Sequence, residues 1–141
     1  MAAKHDIEQG VSVEVDASRD DVLDALSRAG APLNEHKRLE VRVEDAEDRA
    51  TVALWVQPLF RSDAPMKQSW VLSVELESPE PGVLCVETAL SEFRTSQSTM
   101  LGIPLGPKEL LGRREFLLYL DALSNELGAL DPHADVVKRR N

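Results

Sequence analysis

Chemistry in a protein chain starts from a few residue types, and this chain is sparing with them. His5, His36, His133 and Cys85 are all the imidazole and thiol its 141 residues hold. None of them stands at ligand spacing from another, so no zinc centre is expected. The lone cysteine excludes an intrachain disulfide. Phosphate-cradling GxGxxG and Walker A loops, the GxSxG nucleophile elbow, HExxH and the EF-hand loop are all missing. No metal and no cofactor is expected. A nucleophilic triad needs a base placed by the fold. The one histidine well inside the chain, His36, lies in the charged run NEHKR and reads as a solvated loop residue. Cys85 alternates with Val83 and Glu87, as a wall residue of a strand does, and a reactive thiol would need a lowered pKa.

Other polar groups leave two readings open. Glu87, Glu92 and Arg94 share one long strand and line either a cavity or a wet outer face, because a bulge would reverse their parity. Gly102 to Lys108 either seats an anion at the start of the last helix or is a loop closed by Pro107. Asp20, Asp21 and Asp24 read as the solvated face of a helix. Trp55 has the parity of an outward residue. It is a candidate partner contact, including a homodimer joined through its face, or else it packs under a neighbouring loop.

Composition narrows the functions available. There are 25 acidic against 16 basic residues, a net charge of -9. Nucleic acid and anionic membranes are polyanions, so neither is an expected partner. Hydrophobic residues make up 43%, enough for one core, while aromatics are only 4%, so that core is largely aliphatic. No 18-residue apolar run is present to span a membrane, and Met1 to Gly10 lacks the apolar stretch of a secretory signal. The expectation is a cytoplasmic protein.

The elements that must position these groups follow from periodicity. Val11, Val13 and Val15 alternate with polar residues, as in a half-buried strand. Ser18 and Asp21 have capping-box spacing ahead of a helix with the stripe Val22, Leu23, Ala25, Leu26 and Ala29, stopped by Gly30 and Pro32. Leu39 to Val43 and Ala50 to Val56 read as two strands of a hairpin, joined by the polar turn Asp45 to Asp48. Pro58 to Lys67 reads as a loop. Trp70, Leu72, Val74 and Leu76 mark a fourth strand, and Leu84, Val86, Thr88 and Leu90 one face of a fifth. Pro107 to Leu127 reads as a long amphipathic helix, roughly 30 Å at about 1.5 Å per residue, with Gly128 as its stop. The domain organisation is an N-terminal extension over 1–9, one domain over 10–128 and a flexible tail over 129–141. The fold class is α+β, with a strand-helix start and a curved antiparallel sheet wrapped around the long C-terminal helix, the helix-grip arrangement.

At VSVEVDASRDDVLDALSRAG, Val11 to Gly30, the chain resembles the START-like (SRPBCC) superfamily of polyketide cyclases and the birch-pollen allergen. Ala17, Ser18, Val22 and Leu26 occupy the places of that superfamily's opening strand, small residue and helix. GPKELLGRREFLLYLDALSNEL, Gly106 to Leu127, resembles its closing helix. The resemblance implies a small hydrophobic ligand, lipid or polyketide-like, held between sheet and closing helix. The walls it implies are Val52, Leu54, Trp70, Leu72, Val86, Phe116 and Leu120, each of which could instead fill a dry core. The alternatives are a cyclase or hydrolase of the same superfamily and a chaperone-like interaction module.

Overall fold

Valine in alternation with polar residues is stiff at χ1 and suits a pleated, half-buried surface. In the computed structural model that pattern forms β1, Gly10–Val15, whose valines are all buried. The structure describes residues 10–46, 49–57, 65–93, 95–100, 103–110, 112–134 and 136–139. Helix α1, Arg19–Asn34, follows at once. Ser18 accepts from the Asp21 backbone N–H at 3.2 Å, and the Asp21 carboxylate accepts in return from the Ser18 N–H. Two donors at the helix start are thereby satisfied. Next come β2, Leu39–Asp45, β3, Arg49–Val56, β4, Lys67–Glu80, and β5, Val83–Phe93. The chain then forms β6, Thr95–Met100, β7, Ile103–Leu110, helix α2, Arg113–Leu130, and β8, Val137–Arg139.

The molecule is α+β. Six strands make one antiparallel sheet in the order β2-β3-β4-β5-β1-β8, and β6 and β7 pair separately as a two-stranded ribbon. Register shifts fall between Leu54 and Trp55, between Val71 and Leu72, and between Glu77 and Glu80. Such bulges bend the strands that carry them and increase local twist. One sheet face and both helices share a single apolar cluster, so the structure is two layers around one core. The helices pack on each other, and the Tyr119 hydroxyl of α2 donates to the Leu26 carbonyl of α1 at 2.9 Å. Burial pushes the Tyr119 hydroxyl far above its ordinary value of 10.0. The stability linked to that shift is present below pH 10 and is lost as pH rises above it.

Several sequence expectations are corrected. Gly30 and Pro32 do not stop α1, which runs on to Asn34. Gly30 serves instead as a contact surface: a Cβ there would lie 2.7 Å from Cγ1 of Val41. Pro32 falls in the closing turn, where its missing N–H forfeits one helical bond without breaking the helix. The Asn34 side chain then accepts from the Val41 N–H at 2.7 Å and ties the helix end to β2. The second helix begins at Arg113, not Pro107, and passes through Gly128 to Leu130. Gly112 precedes it with φ at 78°, outside any right-handed helix. The segment upstream adopts the β6–β7 ribbon, where prolines are tolerated because every strand of a two-stranded ribbon is an edge. Residues 137–139 are an edge strand on β1 rather than a loose tail. The expected N-terminal extension, 1–9, lies outside the described residues, as do residues 58–64 of the expected loop.

Gly112, just before α2, and Gly128, within it, should respond oppositely to alanine. At Gly112 a Cβ would meet Oγ of Ser69 at 2.8 Å and side-chain atoms of Leu54 and Trp70 at 3.2 Å, in a left-handed backbone. Gly112→Ala should cost at least about 2 kcal/mol in urea unfolding. At Gly128, where nothing lies within 4 Å, Gly128→Ala should stabilise by about 0.5–1 kcal/mol.

Candidate functional site

The seven expected wall residues converge, but on one another. Val52, Leu54, Trp70, Leu72, Val86, Phe116 and Leu120 all belong to the core cluster, none more than 5% exposed. Trp70 meets Phe116 edge-on at a centroid distance of 5.4 Å and Tyr119 at 6.0 Å. These are favoured aromatic geometries. The two open depressions described next are lined by other residues.

The larger depression is a cleft of about 510 Å³ between the end of α1, the start of β2, the end of β3 and the first turns of α2. Its apolar lining is Leu33, Leu39, Val56 and Leu118. Leu118 is 49% exposed, one of the two exposed large hydrophobic side chains among the described residues. Around this lining stand His36, Lys37, Arg38 and Arg114, with Glu115 beside them. The backbone holds the basic run in place: the His36 N–H donates to the Leu33 carbonyl at 3.1 Å, and the Leu39 N–H to the His36 carbonyl at 3.1 Å. Arg38 Nη2 donates to the Gln57 carbonyl at 2.8 Å, fixing its guanidinium across the mouth of the β2–β3 pair. The volume falls in the range of small-molecule sites, about 300–1,000 Å³.

The second depression, about 300 Å³, lies on the opposite sheet face and includes Arg42, Trp55, Val71 and Glu92. Trp55 does point outward, yet its ring is covered: the Arg42 guanidinium sits 4.2 Å from the ring centroid. Glu92 accepts from Gln68 at 2.8 Å on this same face. Glu87 is exposed between buried Val86 and Thr88, so it too faces away from the core. Arg94 lies outside the described residues. Cys85 shares the outer parity, half-buried. Desolvation, then Glu14 and Glu77, pushes its thiol up, away from the thiolate form. Lys108 belongs to β7 and the helix begins only at Arg113, so Gly102 to Lys108 is not the loop that opens that helix; Gly102 lies outside the described residues. Among the described residues no group of three or more His, Cys, Asp or Glu is placed to hold a metal, and no helix is long and apolar enough to cross a membrane.

Sequence reasoning missed the cleft. Two signals pointed there: three consecutive basic or imidazole residues, His36 to Arg38, in an acidic chain, and Leu118, a leucine standing off the buried stripe of α2. Compared with known proteins, the chain has no match among family models, curated proteins or solved structures.

The Arg42–Trp55 contact should be measurable as a coupling. A double-mutant cycle with Arg42→Gln and Trp55→Leu, read by urea unfolding, should give about 0.5–1 kcal/mol of interaction energy, typical of an exposed cation–π pair.

Proposed function

We propose that this chain binds a small hydrophobic molecule, held in the helix-grip manner between the sheet and its helices. The observation that carries the reading is the open cleft of about 510 Å³ whose lining joins both helices to the β2–β3 side of the sheet. The ligand's place is this cleft; the seven core residues act behind it as packing that keeps the elements apart at a fixed spacing. Support comes from the strand-helix opening, the antiparallel sheet and the closing helix, which together have the order expected of a START-like chain. Exposed Leu118 gains by being covered, since burying apolar surface contributes roughly 25 cal/mol per Å² before ordering costs. Of the polar groups the sequence offered to a cyclase or hydrolase, Glu87 and Glu92 lie on the other side of the sheet from this cleft. The single half-buried cysteine fits a reducing cytoplasm.

The neutral dye N-phenyl-1-naphthylamine tests the reading. It should brighten on addition of the wild-type protein, and Leu118→Glu should weaken its binding about tenfold, equal to about 1.4 kcal/mol. Leu118 is half exposed, so the variant should keep the wild-type circular dichroism and Tm. Absence of dye binding, or binding unaffected by Leu118→Glu, would count against a ligand in this cleft.

A further inference from the structure

The cleft has a rim opposite in sign to the chain as a whole. The net charge is -9, yet Lys37, Arg38 and Arg114 gather at one depression, with His36 as a further polar group and Glu115 as the acid in its lining. Elsewhere arginines are spent on carboxylates: Arg19 on Asp45, Arg28 on Glu126 and Arg42 on Glu40. None of those ion pairs engages Lys37, Arg38 or Arg114. Arg38 uses its guanidinium on a neutral acceptor, the Gln57 carbonyl, and a guanidinium has five N–H donors in a fixed fork.

Cations gathered around a concave surface raise the positive potential within it. Arginine forks match the paired oxygens of carboxylate and phosphate, and lysine adds a point charge. A neutral apolar ligand would use the floor and leave this rim idle. A free inorganic anion would use the rim and leave half-exposed Leu118 and the accessible parts of Leu39 and Val56 wet. Charge complementarity and apolar lining are satisfied together by one kind of molecule. Resting on the ligand-binding reading above, we infer that the occupant is an amphiphile with an anionic carboxylate or phosphate head. Its chain lies on Leu118 and the accessible parts of Leu39 and Val56, with Leu33 buried behind them, and its head is held by Lys37, Arg38 and Arg114.

Titration calorimetry at low and high salt, with each ligand below its micelle concentration, separates the two layers of this inference. The probes are dodecanoate, dodecyl phosphate and dodecanol. Wild type should bind at least one of the two anions about tenfold more tightly than the alcohol, and the stronger anion identifies the head group. That advantage should shrink at high salt. The double variant Lys37→Gln/Arg114→Gln, whose sites are both exposed, should lose the preference, binding both anions no more tightly than dodecanol. Dodecanol bound as tightly as both anions, or an unchanged preference in the double variant, overturns the head-group inference and leaves the ligand reading standing. Failure of all three to bind overturns both.

Discussion

Trp70 is fully buried and carries an N–H that must find an acceptor there, because an unpaired buried donor costs about 1–3 kcal/mol. It finds the Gly112 carbonyl at 3.2 Å. That bond fixes the start of α2 against β4, and the glycine backbone lies so close that side-chain atoms of Ser69, Leu54 and Trp70 occupy the space of a Cβ. Once the first turn of α2 is pinned, its stripe of Phe116, Tyr119, Leu120, Leu123 and Leu127 falls on the core. Leu118 is left facing out, and Arg114 is brought to the cleft. The site is therefore a by-product of how one indole is satisfied.

The other wall of the cleft depends on a second close approach. With only hydrogen at Gly30, Val41 presses directly on the α1 backbone, and Asn34 bonds the Val41 N–H. The end of α1 and the start of β2 thus stay near one another, with the short turn through His36 to Arg38 displayed at their junction. Tyr119 links α1 to α2 from the inside. Three ties, each between a polar group and a backbone atom or between a backbone and an apolar side chain, set the dimensions of a depression that no single element defines.

Most of the sheet was legible in the sequence because its signal is local. Alternation in β1, β2, β3, β4 and β5 shows directly which residues face in, and Thr88 keeps the inward parity by bonding the Val11 N–H at 2.8 Å. The Ser18–Asp21 box was legible for the same reason. Gly30, Gly112 and Gly128 were not, because a glycine that ends a helix, one that lets another chain segment press in and one that is merely tolerated look alike without the partner atoms. The ribbon of β6 and β7 was obscured by Pro104 and Pro107, which read as loop and helix-start signals. The cleft was illegible because its residues come from α1, β2, β3 and α2, and its charges look like ordinary surface until those elements meet.

The place of β1 in the sheet also orders events in time. It is the first strand of the described chain, yet it lies between β5 and β8, and its Val11–Thr88 bond joins residues 77 apart. Strands β2 to β5 are a meander in which each pairs with its successor, and contacts between sequence neighbours form early. During synthesis from the N-terminus, β1 emerges long before either neighbour exists. It has no ladder partner until β5 has left the ribosome, and β8, which follows α2, can cover its far edge only later still. The strand read most easily from the sequence is thus the one that waits longest for its partners.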